Sequence, residues 1–432
     1  MRPARSNVLF SLAALSLGAC TTTPLDPPTP PPTSTEVSSS KPRDTQPLVS
    51  STDLRALTDG NTAFAFDLYQ RLRAEGGNLF YSPYSISIAL AMTWAGARGM
   101  TADQMQAVFH YPSPWRVTGE IFDALDLALA SRGQNSQGAD GKPFKLSVAN
   151  AVWGQSGGDF VPDYLDYLAQ DYGAGLRVVD FMTAPEPSRV AINSWVSDQT
   201  SGRIPDLLPP GSITMDTRFV LTDAVYFNAS WQQPFDVHAT KDGTFHALDG
   251  STQPARMMST NLTGVGYAAG DGWQAAAIPY DGDQLSMVII APDAGRFAEI
   301  EAALDGKKVG GVLAALSRSG LALTLPQWKT EASTSLARTL SAMGMPLAFG
   351  DGADFSGIDG QRDLSISEIF HKAWITVDES GTEAAAATAV VVGTDAAFNQ
   401  HTLTVDRPFI YLIRDDATGA VLFVGRMVSL TQ

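Results

Sequence analysis

The segment that most restricts the fold lies near the C-terminus: Ser380-Gly381-Thr382-Glu383-Ala384-Ala385-Ala386-Ala387-Thr388, followed by Val390-Val391-Val392. Four consecutive alanines by themselves favour helix. The flanks pull the other way, because Gly381 frees the backbone ahead of the run and β-branched valines close it. Drawn as a strand, positions 382, 384, 386, 388, 390 and 392 share one face, since strand side chains alternate. They are Thr, Ala, Ala, Thr, Val and Val, all small or β-branched and uncharged, while Glu383 falls on the other face. A sheet that parted to admit this segment would meet no buried charge and little bulk. The segment can therefore exist as a loop or as an inserted strand.

The N-terminus reads as an address. Arg2 and Arg5 precede an apolar run over 8–17, too short to span a bilayer but suited to a secretory signal. The run ends in Leu17-Gly18-Ala19-Cys20, which resembles the bacterial lipobox. That resemblance implies a signal over 1–19 and a lipidated Cys20 as the mature N-terminus. Each buried acyl CH₂ contributes about 0.8 kcal/mol, so several chains hold a protein firmly. Thr21, where aspartate would favour inner-membrane retention, points to the outer membrane, on its periplasmic or cell-surface side. Residues 21–50 are rich in Pro, Thr and Ser, with Pro27-Pro28 and Pro30-Pro31-Pro32, and read as an extended tether. The expected organisation is signal 1–19, lipidated tether 20–53 and one folded domain 54–432.

Composition removes several function classes. The 432 residues carry a net charge of −16, with no basic run beyond the first few residues, which argues against nucleic-acid binding. Cys20 is the single cysteine, so no disulfide forms within one chain and no Cys/His zinc spacing exists. The five histidines are scattered, without HExxH spacing; no metal or cofactor is expected. Gly154-Gln155-Ser156-Gly157-Gly158 matches a nucleophile elbow, which would need a His and an acid beside Ser156. The same glycines also make a simple turn.

Helical periodicity occurs over 61–73, 84–97 and 101–109. Strand-like runs follow at 144–153, 219–227, 285–291, 322–326, 374–377, 409–413 and 421–428. Helices dominate the first half and strands the second. That order predicts α+β with mixed or antiparallel sheets.

Val377-Asp378-Glu379-Ser380-Gly381-Thr382-Glu383 with the alanine run resembles the reactive-centre hinge of inhibitory serpins. Further blocks are similar, in the family's order. They are Asn78-Leu79-Phe80-Tyr81-Ser82-Pro83-Tyr84-Ser85, Phe219 through Phe227 with Trp231 and Phe235, Ala353-Asp354-Phe355-Ser356-Gly357-Ile358, and His371-Lys372-Ala373. Arg407-Pro408-Phe409 and Leu422-Phe423-Val424-Gly425-Arg426 close the series. The resemblance covers about 55–432. It implies the serpin fold: a large mixed central sheet, smaller sheets, about eight or nine helices and an exposed reactive-centre loop.

The resemblance also implies a mechanism. A serine or cysteine protease attacks the loop as substrate, and the hinge inserts into the large sheet before the acyl-enzyme is hydrolysed. The chain is then a monomeric suicide inhibitor and no enzyme. Counting from Glu379 puts the reactive bond at Asp395-Ala396; counting back from Arg407-Pro408-Phe409 puts it at Ala397-Phe398, so the cut is expected within 394–399. Hinge residues are Glu379, Gly381, Thr382, Glu383, Ala384, Ala385, Ala386, Ala387 and Thr388. Ser82, Ser85, Asp223 and His371 match the polar cluster where the sheet parts, Asp223 replacing the usual asparagine either as a harmless swap or as half of a charged pair. Trp231 matches the tryptophan at the top of that sheet. The rival readings are a non-inhibitory surface lipoprotein of the same fold, with a binding or chaperone role, a hydrolase using Ser156, and a plain surface lipoprotein with a binding role.

Overall fold

The structure, a computed structural model, describes residues 34–134, 136, 145–382 and 400–431. Strand β1 (Thr35–Val37) precedes helix α1 (Ser51–Leu72). Then come β2 (Leu79–Tyr81), α2 (Pro83–Trp94), α3 (Gly99–Phe109), α4 (Trp115–Ala130), β3 (Lys145–Gln155), α5 (Pro162–Tyr172), β4 (Leu176–Val179), α6 (Pro185–Gln199) and β5 (Phe219–Ser230). Beyond these the chain is mostly strand: β6 (Lys241–His246), β7 (Thr252–Gly270), β8 (Trp273–Pro279) and β9 (Leu285–Pro292). Helices α7 (Phe297–Ala302) and α8 (Gly306–Ala315) lead to β10 (Ser317–Pro326) and β11 (Trp328–Ser335). Short helices α9 (Ala337–Met343) and α10 (Ser356–Asp359) precede β12 (Glu368–Val377), β13 (Gly381–Thr382), β14 (Gln400–Thr404), β15 (Phe409–Asp415) and β16 (Val421–Met427). The described residues thus hold ten α-helices, where about eight or nine were expected.

Two sheets carry the fold, and the expected α+β class with mixed sheets holds. The large sheet runs β1-β4-β3-β5-β13-β12-β11. β3–β4 and β5–β12 are parallel, and its other pairs are antiparallel. The second runs β14-β10-β7-β8-β9-β15-β16-β2, with β6 beside β7.

Alternation sorts the large sheet into two faces. Leu221, Val225, Phe227 and Ala229 of β5 join the main core with α1, α2 and the second sheet. Val220 and Ala224 of the same strand face a second cluster, built with Trp153, Phe370 and Ile192 and Val196 of α6. Covered on both sides, all twelve residues of β5 are buried, which is why apolar side chains fall on both faces of the strand instead of alternating with polar ones. Helix α2 is buried along its whole length and carries no charged residue, as suits a helix threaded through a core. Ser82 caps its first turn by accepting from the Ser85 N–H at 3.1 Å, and Pro83 starts it.

The expected tether, 20–53, is corrected over residues 34–53. β1 adds a strand to the free edge of β4, pairing Thr35 with Val178 and Val37 with Leu176. Arg43 then reaches α4, its Nε 2.7 Å from Asp123 Oδ1 and its Nη2 2.6 Å from Asp126 Oδ2. Lys41 pairs with Asp166 of α5 at 2.8 Å, and α1 already begins at Ser51. Composition underrated this stretch because it is held by ion pairs and ladder hydrogen bonds rather than by large apolar side chains.

Candidate functional site

β5 and β12 pair directly from Glu368↔Val220 to Trp374↔Tyr226. Above that point they diverge, and β13 sits between them: Gly381 opposes Ser230, while Thr382 opposes Ala229 and Val377. The start of the hinge therefore occupies the top of the seam as a strand antiparallel to both neighbours. The chain gets there by a tight turn. Asp378 Oδ1 accepts the N–H groups of Ser380 at 2.8 Å and Gly381 at 3.3 Å, the local bond that suits aspartate to turns. Burial raises the Asp378 carboxyl above the usual carboxylate range, and these N–H groups pull it back. Gly381 has φ +155°, and a Cβ there would lie 2.2 Å from the Ala229 carbonyl oxygen, so only glycine fits between the strands.

Thr382 is fully buried, and its hydroxyl lies 2.7 Å from the Tyr280 hydroxyl. Burial holds the Tyr280 phenol neutral by raising it well above its ordinary range. Trp231 stacks on Tyr280 with centroids 4.7 Å apart, and its indole N–H donates to the Asp378 carbonyl at 2.9 Å. Glu379 accepts from Thr240 Oγ1 at 2.6 Å and from Gln327 Nε2 at 2.7 Å. Tyr280, Thr240 and Gln327 were missed in the sequence; they lie far from the hinge along the chain and belong to no motif.

Lower in the seam, the four residues expected to cluster do so. Asn150, Asp223 and His371 form one row across β3, β5 and β12, on the inner face. Ser82 N–H donates to His371 Nε2 at 3.1 Å. Ser85 Oγ lies 2.6 Å from Asp223 Oδ1 and 2.7 Å from Asn150 Oδ1, and Asn150 Nδ2 returns a bond to the Ser85 carbonyl at 2.9 Å. His371 Nδ1 is 3.0 Å from Asp223 Oδ1, with both side chains buried. Asn150 was missed, although a lone Asn inside Val148-Ala149-Asn150-Ala151-Val152 is the kind of polar interruption that marks a buried contact.

Other expected residues fall elsewhere. Ser156 sits at the end of β3, where its N–H donates to the Val179 carbonyl at 2.9 Å and its hydroxyl accepts from Gln155. No histidine contacts it among the described residues, so the hydrolase constellation is not assembled. Glu383, Ala384, Ala385, Ala386, Ala387, Thr388, Asp395, Ala396, Ala397, Phe398 and Cys20 lie outside the described residues.

A family model described as serpin (serine protease inhibitor) matches residues 59–430. The chain is a serpin. It is 37% identical to the bovine leukocyte elastase inhibitor over 386 residues, covering 87% of this chain and all of that one. An uncharacterized serpin-like protein of Thermococcus kodakarensis is 37% identical over 403 residues, 91% of this chain and 92% of its own. Among solved structures, the thermophilic serpin tengpin in its native state gives a TM-score of 0.79 at 26% identity, over 92% of this chain and all of that one. Uncleaved ovalbumin gives 0.77 at 27%, over 87% of this chain and all of that one. The expectation of a chain that is no enzyme is corrected in its terms. The matching family is described as serine protease inhibitors, which act by a suicide-substrate mechanism.

Proposed function

We propose that this serpin is an irreversible suicide-substrate inhibitor of serine or cysteine endopeptidases, tethered to a bacterial membrane through Cys20. The observation that carries the inhibitory half is the placement of Gly381 and Thr382 between β5 and β12. Two hinge residues already share the ladder that a longer insertion would extend, and the positions that follow on the same face are small and uncharged. A protease attacking the loop would supply Ser or Cys, His and the oxyanion donors. Zippering of the hinge would then compete with hydrolysis of the acyl bond.

The reactive bond is placed at Asp395-Ala396, with Ala397-Phe398 as the alternative. Relatives carry the name leukocyte elastase inhibitor, and Ala396 or Ala397 would suit an elastase-like enzyme. Phe398 would suit a chymotrypsin- or subtilisin-like one. No Arg or Lys occurs over 382–400, which disfavours a trypsin-like target. Incubation with such a panel should give a complex that survives denaturing electrophoresis, and mass spectrometry of the released C-terminal peptide should place the cut within 394–399. Clean cleavage without any complex would replace this reading with that of a non-inhibitory serpin.

The membrane half rests on the lipobox-like Leu17-Gly18-Ala19-Cys20 and on Thr21. Cys20→Ala removes the only thiol acceptor and should release the protein from the membrane fraction. Unchanged fractionation would remove the lipoprotein reading.

A further inference from the structure

We infer that Arg203 is a positioning residue for sheet opening, because its guanidinium spans the two strands that would part; this rests on the trapping reaction proposed above. After α6 the chain returns across the outer face of the large sheet. It buries Ile204, Leu207 and Leu208 in the cluster that contains Val220 of β5 and Phe370 of β12. From this cover Arg203 Cζ lies 5.9 Å from the ring centroid of Tyr226 on β5 and 5.6 Å from that of Trp374 on β12. Tyr226 and Trp374 are register partners across the seam.

The neighbouring cations behave differently. Lys145 Nζ lies 5.9 Å from the Tyr226 ring, from the β3 side, and Lys329 Nζ lies 5.7 Å from the Trp374 ring, from the β11 side. Each meets one ring and would travel with it. Arg203 meets both, so it alone of the three loses contacts when the rings separate. The attraction is that of a cation for the negative face of a ring, and it strengthens as water is excluded. Tyr226 is only 7% exposed, so its ring is nearly dry.

Opening changes this geometry by a predictable amount. The register of β13 sets Thr382 opposite Ala229 and Val377. Continued downward, the third residue after Thr382 arrives between Tyr226 and Trp374. Their separation then grows from one strand spacing, about 4.8 Å, to about twice that. Held at its present height over the sheet, the guanidinium would sit roughly 7 Å from each ring, outside the ~6 Å range of the interaction. Arg203 therefore resists insertion at the third step of zippering, and must let go of at least one ring before the seam opens past it.

The test is the rate at which a fluorescent peptide of sequence 382–393 anneals to the full chain, which needs no protease. Arg203→Gln should anneal about tenfold faster than wild type, with Arg203→Lys intermediate because it keeps the cation. Arg189→Gln is the control for general loosening of the cover: Arg189 Nη1 donates to the Leu208 carbonyl at 2.8 Å but touches neither ring. Its annealing rate should stay within about twofold of wild type. Equal rates for Arg203→Gln and wild type, or equal acceleration by Arg189→Gln, would overturn the role of Arg203. A chain that anneals peptide with the expected order of rates yet traps no protease leaves that role standing and removes the inhibitory reading. Absence of annealing in every variant overturns both.

Discussion

Nδ1 of His371 faces Oδ1 of Asp223 at 3.0 Å across the β5–β12 seam, both residues sealed from solvent. Nε2 accepts from the Ser82 N–H, so the neutral ring carries its proton on Nδ1, towards the carboxyl group. The pair is close but poorly aimed: neither Nδ1 nor Asp223 Oδ2 makes a well-directed hydrogen bond. His371→Ala should strand the Ser82 N–H and Asp223 together, lowering unfolding free energy by about 3 kcal/mol. Asp223→Asn keeps the Oδ1 acceptor for Ser85 and should change it by less than about 1 kcal/mol. Urea unfolding of the two variants checks this, and equal losses would mean that the charge of Asp223 is what holds the pair.

Thr382→Arg should turn the proposed inhibitor into a substrate. The side chain is fully buried on the inner face against Tyr280, so arginine must either bury an unpaired charge or keep the hinge out of the seam. A cost of several kcal/mol slows insertion more than a hundredfold, and hydrolysis of the acyl bond then wins. The stoichiometry of inhibition reads the outcome: Thr382→Ser should stay near wild type, while Thr382→Arg should be cleaved at the same bond and release active protease.

Arg43→Ala should cost about 3 kcal/mol, far more than loss of an exposed ion pair. Its partner Asp123 is buried, with 1% of its side chain exposed, and burial already raises that carboxyl while Arg43 pulls it down. Thermal unfolding should show the loss, and deletion of residues 34–44 should reproduce it. An unchanged Tm would mean that this segment does not brace α4.

Asp171 of α5 makes stability fall as the medium becomes neutral. Burial, then the negative charges of Glu120 and Asp123, push its carboxyl from 3.8 to about 7. Because the folded value lies above the unfolded one, its contribution is fully present below about pH 4 and is lost as pH rises through about 7. Asp171→Asn removes that slope. The variant should match wild type at pH 4 and exceed it at pH 8 by about 1 kcal/mol, after allowance for partial exposure. Chemical denaturation at the two pH values decides; parallel profiles would assign the slope to another group.

Much of this was legible in one dimension because local pattern and tertiary role agree. The strand run at 219–227 is apolar but for Thr222 and Asp223 because β5 is covered on both faces, and the helix over 84–97 carries no charge because α2 is buried. Where role and pattern part, the reading failed. Helix α6 carries Arg189, Asn193 and Asp198 among its apolar residues, and β7 mixes Thr, Asn, Gly and Tyr over nineteen residues; both are held by the sheets they touch rather than by their own periodicity.

The sequence alone determined the serpin family, the α+β class, the grouping of Ser82, Ser85, Asp223 and His371, and the inward face of Thr382, because each rests on ordered local motifs or on the period of two in a strand. Only the tertiary structure decided how far the hinge has entered, that Tyr280 receives Thr382, that residues 34–44 are bound to α4, α5 and β4, and that Arg203 lies over both strands of the seam. Those are contacts between segments separated by tens to hundreds of residues. Their geometry follows from register and packing across the sheet, which no local pattern encodes.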